Sequence, residues 1–433
     1  MRTNIAIDGI RYLQYEIREI VDYGHKLAAM GVPMIWENIG DPVAAGEKVT
    51  PWIKEVIIDL AQQDATWAYC PSRGVLKTRE FLADQASARP DGVQLGPDDI
   101  LFFNGVADAV DKIYDLIRRD ARVLMQAPSY PTHSSNEAKR SDYERLQFHL
   151  DHKNGWRPDI DEIENKVKYN PQIVAIALVN PDNPTGTCYR RDTLEAIIDI
   201  ARRYRLFLIC DEIYANICYN GAETLHLSQL VGDVPALAMR GLSKDYPWPG
   251  SRCGWVEMIN REHDPAFKEY CEAMVKTKMM EVCSTTLPQM SIPLVYGDPR
   301  YEEVKQRRAA IFEKRANDVY EFFRDVPGVI VYPTQGAFYF CVTFEDGVLN
   351  DRQTLPLPNS QVREFVERKV RGVALDKRFV YYMMASMGVC VTPLSGFHSN
   401  INGFRLTTLR TDDAERMRVL GIIRNAIEGY LAS

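Results

Sequence analysis

Long hydrophobic runs are missing from this chain of 433 residues. The longest apolar runs, such as residues 173–179, fall far short of the ~18–20 residues that a membrane-spanning helix needs. Residues 1–11 carry acidic and polar side chains and lack the continuous apolar stretch of a signal peptide. We therefore expect no association with a membrane and a cytoplasmic location.

Clustered positive charge is also missing. The chain has 52 Lys and Arg residues against 59 Asp and Glu residues, which gives a net charge of −7. Binding to nucleic acid regardless of sequence requires a basic patch. The basic runs at 305–308 and 202–203 lie beside acidic residues in helical patterns, which is typical of solvated helix faces. No nucleic-acid partner is expected.

The nine cysteines form no CxxC pair, and a scattered odd set argues against a disulfide framework. Cys210, Cys253 and Cys341 lie in strand-like apolar runs, where a reduced thiol behaves as a small buried hydrophobic group. His149 and His152 form an isolated HxxH without a nearby Cys, His or Glu group to complete a metal site. No metal is expected.

The middle of the chain alternates short apolar runs with helical patterns. The apolar runs are 100–104, 123–127, 173–180, 206–211, 236–242 and 254–259. Amphipathic segments such as 106–119 and 192–204 lie between them. This alternation predicts an α/β fold with a mostly parallel sheet that is covered by helices on both faces.

The two chain ends have a different pattern. Helices are predicted over 10–30, 299–325, 360–369 and 412–431, and strands near 329–332 and 337–343. Thr411 is the expected N-cap of the last helix. We therefore predict a large α/β domain over 67–312 and a smaller α+β domain formed by 1–66 together with 313–433.

Polar side chains follow five of the predicted strands, at the point where each strand ends. They are Asn104 with Gly105, Tyr130, Asn183 within the run 180–186, Asp211 with Tyr214, and Ser243 with Lys244. One such residue would indicate only a loop. Because open parallel sheets bind ligands at the carboxyl ends of their strands, the set of five indicates a binding site.

Lys244 and Asp211 suit a cofactor that has an aldehyde, a pyridine ring and a phosphate. Lys244 could form an imine with the aldehyde, although a lysine at this position could equally be a solvated strand exit. Asp211 could keep the ring nitrogen protonated, through an interaction of about 4 kcal/mol before desolvation. It could instead be the N-cap of a helical turn.

Other side chains in these segments could contact the ring and a substrate. Tyr214 and Asn183 could donate to the ring oxygen, and Tyr130 could stack on the ring or simply pack in the core. An amino-acid substrate needs a cation for its α-carboxylate. Arg405 lies in an otherwise uncharged stretch and is the favoured candidate, with Arg410 as the alternative.

The phosphate needs backbone N–H groups and a cation. Gly105 leads directly from a strand into a helical pattern, so Val106 and Ala107 would present free N–H groups at a helix amino terminus. Arg252 could add a bidentate guanidinium.

Four motifs occur in a fixed order. They are NPDNPTG at 180–186, DEIY at 211–214, LSKDYPWPGSRCGW at 242–255 and GFRL at 403–406. This set resembles the class I/II aminotransferases, which have the pyridoxal 5′-phosphate (PLP) fold type I, and alanine-type or broad-specificity members most of all. The resemblance also includes IGDP at 39–42, Tyr69 with Gly74, APSYP at 127–131 and QGAFY at 335–339, and it covers nearly the whole chain.

The resemblance implies a fold and an activity. The fold would be a mostly parallel sheet of the seven-stranded type with a smaller α+β domain. The activity would be transfer of an amino group from an L-amino acid to a 2-keto acid, through a Schiff base on Lys244 and a pyridoxamine phosphate intermediate. Lys244 would also move the proton from the substrate Cα to the cofactor C4′.

The resemblance further implies which residues form the site. The cofactor site would contain Val106, Ala107, Tyr130, Asn183, Asp211, Tyr214, Ser243, Lys244, Arg252 and Tyr69. The substrate site would contain Gly40, Asn183 and Arg405. Tyr69 would reach the phosphate of the partner subunit, so a homodimer with shared active sites is implied.

Two departures from the family pattern bear on specificity. Many relatives have a phosphate-binding serine where Gly241 stands, although Gly-Leu-Ser-Lys is similar to alanine-type members. Relatives that act on dicarboxylic acids often carry a second arginine in the segment that matches 279–289, and this segment has none. A small or apolar amino donor is therefore favoured over aspartate.

Two other functions suit the same residues. A PLP-dependent lyase, decarboxylase or synthase would use the same cofactor site. A binding protein built on a former enzyme domain is a further alternative. The preferred donor, the acceptor, the pathway and any assembly beyond a dimer stay open.

Overall fold

The computed structural model describes residues 5–13 and 16–433. The strands are β1 Ile35–Trp36, β2 Ile100–Phe103, β3 Arg122–Ala127, β4 Gln147–Asp151, β5 Arg157–Pro158, β6 Ile173–Val179, β7 Phe207–Asp211, β8 Ala236–Gly241, β9 Gly254–Ile259, β10 Val329–Ile330, β11 Tyr339–Phe344, β12 Val389–Cys390, β13 Thr392–Pro393 and β14 Gly403–Thr407. The α-helices are α1 Glu16–Ala29, α2 Pro51–Ala61, α3 Leu76–Ser87, α4 Val106–Asp115, α5 Pro131–Ser141, α6 Ile160–Tyr169, α7 Arg191–Tyr204, α8 Leu227–Leu230, α9 Pro265–Met280, α10 Thr286–Tyr296, α11 Arg300–Phe323, α12 Ser360–Lys369, α13 Leu375–Met387 and α14 Asp413–Leu431.

The large sheet has the strand order β2-β9-β8-β7-β6-β3-β4-β5. The neighbours from β8 to β4 are parallel, whereas β9 runs antiparallel to β2 and β8, and β5 antiparallel to β4. The carboxyl ends of β2, β3, β6, β7 and β8 therefore meet at one edge. Because β9 is reversed, its amino end lies at this edge too. The predicted mostly parallel α/β sheet is confirmed.

Alternating side chains of the central strand β6 pack on opposite faces of the sheet. Ile176 and Leu178 belong to the hydrophobic cluster on one face, and Ala175 and Ala177 to the cluster on the other. A sheet that is buried on both faces needs apolar residues at every strand position, not at alternate ones. This explains why the strands appear in the sequence as continuous apolar runs.

The second core is built from both chain ends. The sheet β10-β11-β14-β13 is antiparallel, and the short pair β1-β12 lies apart from it. Ile20 and Leu27 of α1 share one hydrophobic cluster with Phe404 of β14 and Ile423 of α14. Ile53 of α2 packs instead in a cluster of the large sheet. The predicted domain boundaries stay a prediction.

Several predicted helix limits are corrected. The helix predicted over 10–30 is a 3-10 helix at Asp8–Tyr12 followed by α1, and residues 14–15 lie outside the described residues. The helix predicted over 106–119 ends at Asp115. The prediction of Thr411 as N-cap is wrong, because the carboxylate of Asp412 accepts the N–H of Glu415 at 2.9 Å.

Within the described chain, no helix is both long enough and apolar enough to cross a membrane.

Candidate functional site

A cavity of about 750 Å³ opens at the edge of the large sheet where the parallel strands end. It is lined by all the predicted site residues except Tyr69, namely Gly40, Val106, Ala107, Tyr130, Asn183, Asp211, Tyr214, Ser243, Lys244, Arg252 and Arg405. Segments that are as much as 365 positions apart in the sequence thus meet in one space.

Lys244 lies in the connection that follows β8, and its amine points to the opposite wall of the cavity. The Nζ atom donates to the carbonyl oxygen of Gly40 at 2.5 Å and lies 5.6 Å from the ring centre of Phe338. Burial lowers the pKa of the Lys244 amine to about 8, and the positive charges of Arg405 and Arg252 act in the same direction. A substantial fraction of this amine is therefore neutral near pH 8.

Asp211 is the last residue of β7 and is 2% exposed. Its Oδ1 atom accepts the backbone N–H of Ile213 at 3.1 Å, so the aspartate does cap the following turn. Its Oδ2 atom lies 3.2 Å from Nε2 of His133. Asp211 therefore both caps the turn and lines the cavity, although the sequence offered these two roles as alternatives.

His133 was not identified from the sequence. It lies in the first turn of α5, three residues after Tyr130, and is 1% exposed. The position after the APSYP motif is the only signal in the sequence that could have pointed to it. The contact with Asp211 requires the fold, because the two residues are 78 positions apart.

The small sheet provides the wall that faces these strand ends. Arg405 of β14 donates from Nη1 to Oδ1 of Asn183 at 3.1 Å, and its guanidinium lies 4.4 Å from the ring centre of Tyr339. The hydroxyl of Tyr339 is 2.9 Å from that of Tyr214, and burial raises the pKa of Tyr214 well above its usual range. Tyr339 is a cavity residue that the sequence indicated only as part of a motif.

Arg405 carries a buried charge, and the described chain places no counter-charge beside it. It is 1% exposed, and among the described residues no carboxylate lies within ion-pair distance of it. Its Nη2 atom donates to Asn38 and Thr392, and its Nε atom has no hydrogen-bond partner in the described chain. A buried cation of this kind is costly unless an anion pairs with it.

Arg410 was the alternative cation for a substrate carboxylate. Its Nε atom donates to Oε1 of Glu37 at 2.5 Å, so its charge is already balanced, and it does not line the cavity.

The amino end of α4 and Arg252 lie together at one side of the cavity. Gly105 precedes the helix with a φ of +87°, and a Cβ atom there would come within 2.4 Å of Nη2 of Arg252. Only glycine allows this approach. The first N–H groups of the helix, at Val106 and Ala107, have no partner within the helix. Backbone donors and a guanidinium thus converge where a phosphate could bind.

Arg18 was missed by the sequence analysis. It lies on α1, is exposed and lines the cavity. No ion pair of Arg18 occurs among the described residues. Nothing in the helical pattern of α1 distinguishes Arg18 from other solvated residues, because its position depends on how the two cores pack together.

Tyr69 lies outside the cavity on an exposed apolar surface. It is 83% exposed, and Trp67 in the same segment is 77% exposed. The hydroxyl of Thr286 donates to the carbonyl of Ala68 at 2.7 Å, which joins the Tyr69 segment to the segment that follows α9. Large apolar side chains exposed to this degree mark a surface that suits a protein partner.

The cavity has the groups that PLP requires. It combines an amine of lowered pKa at Lys244, a buried carboxylate at Asp211, and a helix amino end beside Arg252. At Gly105 the guanidinium of Arg252 comes close to the backbone that leads into this helix end. An aldehyde, a ring nitrogen and a phosphate therefore each have a matching group.

Comparison with known proteins identifies the family. The profile of the family described as aminotransferase class I and II matches residues 33–423. An uncharacterized aminotransferase of Methanocaldococcus jannaschii is 46% identical over 431 residues, which is 100% of both chains. The glutamate-pyruvate aminotransferase AlaA of Escherichia coli is 29% identical over 332 residues, 75% of this chain and 79% of AlaA.

A solved structure supports the same conclusion. The alanine aminotransferase from Pyrococcus furiosus superposes with a TM-score of 0.83 and 26% identity over 100% of both chains. The expected fold and the expected transamination activity are thereby confirmed. The chain belongs to the aminotransferase class I and II family, and it is a PLP-dependent transaminase that acts on amino acids and keto acids.

Proposed function

We propose that this transaminase exchanges the amino group between L-alanine and 2-oxoglutarate, with pyruvate and L-glutamate as products. The observation that carries the proposal is the buried and unbalanced charge of Arg405 in the same cavity as the amine of Lys244. The names of two relatives, a glutamate-pyruvate aminotransferase and an alanine aminotransferase, support this pair of substrates.

The residues that would hold PLP belong to the large sheet. Lys244 would hold the aldehyde carbon, Asp211 the ring nitrogen, and Asn183 with Tyr214 the ring oxygen. When bound, PLP supplies an electron-withdrawing ring that stabilises negative charge at the substrate Cα. The carboxylate of Asp211 favours the protonated ring, and its contact with His133 holds it in place.

The remaining cofactor contacts would lie on either side of the ring. Tyr130 would pack against its face, since it lines the cavity next to α5. The N–H groups of Val106 and Ala107, with Ser243 and Arg252, would bind the phosphate. A guanidinium and a helix amino end both favour the doubly charged form of that group.

Lys244 would be the base that takes and returns the Cα proton. A base must be neutral to accept a proton, and burial with two nearby arginines lowers the pKa of the amine to about 8. The amine reaches the carbonyl oxygen of Gly40, which is on the opposite wall of the cavity, so it lies between the two walls. This position suits proton transfer to a substrate held between them.

Arg405 would bind the α-carboxylate of every substrate. Its guanidinium is already oriented by Asn183 and by the ring of Tyr339, so little side-chain entropy is lost on binding. The carboxylate would supply the missing counter-charge. The backbone of Gly40 would close the cavity over the substrate from the other side.

Arg18 would bind the distal carboxylate of 2-oxoglutarate and glutamate. It is exposed at the cavity mouth without an ion-pair partner among the described residues, whereas the segment 279–289 offers no arginine. Alanine has no distal carboxylate and would leave Arg18 in water. An exposed cation that some substrates use and others ignore suits an enzyme that accepts both an uncharged and an acidic side chain.

A homodimer with shared sites is part of the proposal. The exposed surface around Trp67 and Tyr69 would be covered by a second copy of the chain, and Tyr69 would then reach the phosphate of the partner subunit. A solution mass equal to one chain would contradict this. The cytoplasmic location stays a prediction, and the nine free cysteines suit a reducing compartment.

A half-reaction experiment tests the substrate pair. Holoenzyme is mixed with L-alanine in the absence of keto acid, and the cofactor absorbance is followed. We expect loss of the aldehyde-form absorbance, and its return after addition of either pyruvate or 2-oxoglutarate. No spectral change with L-alanine at millimolar concentration would overturn the proposal.

The variant Arg18→Gln separates the two acceptors. We expect a KM for 2-oxoglutarate about fivefold higher, because an exposed charge–charge contact is worth roughly 1 kcal/mol, and an unchanged KM for pyruvate. The matched control is Lys26→Gln on the same helix, whose side chain is exposed and does not line the cavity. Equal effects of Arg18→Gln on both acceptors would remove Arg18 from substrate recognition.

A further inference from the structure

Two free cysteines lie in contact beside the cavity. The Sγ atoms of Cys188 and Cys218 are 3.8 Å apart, although the residues are 30 positions apart in the chain. Cys188 follows the segment that carries Asn183, and Cys218 follows the turn that carries Tyr214. The contact between the two thiols therefore lies between two chain segments, each of which also has a side chain that lines the cavity.

The surrounding segments hold both sulfurs in place. The Sγ atom of Cys188 lies 3.3 Å from the carbonyl oxygen of Gln335 as well as 3.8 Å from Cys218, so its one S–H group is shared between these two acceptors. Cys218 pairs through its backbone with Gly336. A Cβ atom at Gly336 would come within 2.6 Å of Sγ of Cys188. The sulfur of Cys188 is therefore packed closely against Gly336, where a larger residue would displace it.

The two thiols differ in exposure and acidity. Cys218 is partly exposed and Cys188 is buried. The S–H group of Cys188 donates to Cys218, which lowers the pKa of the Cys218 thiol, while the same contact and burial raise the pKa of Cys188 well above its usual range. Cys218 is thus the accessible thiol that more readily becomes a thiolate, and Cys188 is its buried neighbour.

We propose that Cys188 and Cys218 form a reversible oxidation site, at which a hydroperoxide converts the two thiols into an intramolecular disulfide. The Cys218 thiolate attacks a peroxide oxygen, the O–O bond breaks, and the released hydroxide takes a proton to become water. The Cys188 sulfur then attacks the sulfenic sulfur and loses its proton, and a second water leaves. Two thiols and one hydrogen peroxide give one disulfide and two waters.

The sulfurs need only a small movement to react. A disulfide bond is about 2.05 Å long, so the sulfurs must approach by roughly 1.8 Å, which side-chain rotation can supply in part. Formation of the disulfide removes the S–H group that the carbonyl of Gln335 accepts. It also links the segment of Asn183 covalently to the segment of Tyr214. Oxidation would therefore change the wall that the proposed function assigns to the ring oxygen.

Peptide mapping of peroxide-treated holoenzyme tests the proposal. Trypsin would release Cys188 within residues 169–190 and Cys218 within residues 206–240. After treatment with hydrogen peroxide and alkylation, we expect these two peptides to be linked, with the mass of two hydrogens lost. Dithiothreitol should separate them again. The readout is a mass and does not depend on turnover or on the choice of substrate.

Three variants make the assignment specific. Peptide 206–240 also contains Cys210, so Cys210→Ser should keep the link and Cys218→Ser should abolish it. Cys70→Ser is the matched control, because Cys70 is also partly exposed but lies elsewhere, and it should leave the link intact. The proposal is overturned if wild-type holoenzyme gives no linked peptide while Cys218 accumulates sulfinic acid. A link that persists in Cys218→Ser would overturn it as well.

Discussion

The two walls of the cavity differ in how their charges are balanced. On the large-sheet wall, the carboxylate of Asp211 has a backbone N–H and His133 as partners. The opposite wall, formed by α1, the segment near Gly40 and the small sheet, leaves the cations of Arg405 and Arg18 without a carboxylate partner among the described residues. The carboxylate of the first wall is thus held by partners within the protein, whereas these two cations of the second wall have no partner of opposite charge in the described chain.

This difference separates two tasks. A carboxylate that is already held in place can keep a cofactor in one orientation through many turnovers. A wall with unpaired cations is completed only when a substrate brings its carboxylates, so the binding of the substrate is favoured by the charge it neutralises. Changes to the first wall should therefore affect chemistry, and changes to the second should affect substrate affinity.

The largest effect is expected at Lys244, which joins the two walls. Lys244→Ala removes the proposed base, and we expect the rate constant of the half-reaction with L-alanine to fall by about 10³-fold or more. Single-turnover absorbance measures it. The control is Lys276→Ala, an exposed lysine on α9, which should keep the wild-type rate. A decrease of less than tenfold in the rate constant of Lys244→Ala would show that Lys244 is not the base.

A smaller loss is expected on the first wall. Asp211→Asn keeps an oxygen for the N–H of Ile213 but removes the charge, so the half-reaction rate constant should fall by roughly 10²–10³-fold, with KM little changed. His133→Asn should lower the same rate constant only about tenfold, because His133 acts by positioning Asp211. If either variant changed KM and left the rate constant intact, the division of tasks would fail.

The second wall should show the opposite pattern. Arg405→Gln should lower kcat/KM by roughly 10²-fold for alanine, pyruvate and 2-oxoglutarate alike, since all have the α-carboxylate. The variant should not lower the free energy of unfolding of the apoenzyme, because it removes a buried charge that has no carboxylate partner among the described residues. Urea denaturation measures the stability.

Arg410→Gln provides the matched comparison for Arg405→Gln. It would leave the buried carboxylate of Glu37 unpaired, so we expect a loss of stability while the affinity for substrates persists. Equal stability losses in the two variants would show that the charge of Arg405 is balanced after all.

The smallest effect is expected in the pH dependence of PLP binding, to which residues of both walls contribute. Capture of PLP by the apoenzyme needs the neutral amine of Lys244, whose pKa is lowered to about 8. The second-order rate constant should therefore rise about tenfold per pH unit below 8 and level off above it. Arg405→Gln should move this transition to higher pH, because Arg405 helps to lower the pKa. A transition near pH 10 in the wild type would contradict the lowered pKa.

The sequence was informative where the backbone itself determines position. Apolar runs predicted β2, β3, β6, β7, β8 and β9 within one residue, but not β4 or β14. The rule that parallel strands end at a common edge brought Asn183, Asp211 and Lys244 to one site. The ordered motifs identified the family. Arg405 was predicted as the favoured cation because of its uncharged neighbours in the chain.

The residues that were missed depend on contacts between distant segments. His133 meets Asp211 only because α5 packs against the end of β7, and Arg18 reaches the cavity only because α1 lies across its mouth. Neither has a local signature. The contact between Cys188 and Cys218 also arises from folding, since the two thiols lie on separate loops.

The reversed direction of strand β9 limits the changes in loop length that the protein can tolerate. Because β8 and β9 are antiparallel neighbours, one connection of residues 242–253 leaves the sheet and returns to it at the same edge. Lys244 lies near its start and Arg252 near its end. This single connection therefore sets the separation between Lys244 and Arg252, the two residues proposed to hold opposite ends of the cofactor. Adding or deleting a residue in this connection should therefore be tolerated far less than the same change between β7 and β8. The length of the β7–β8 connection does not determine the distance between two ligand-binding residues.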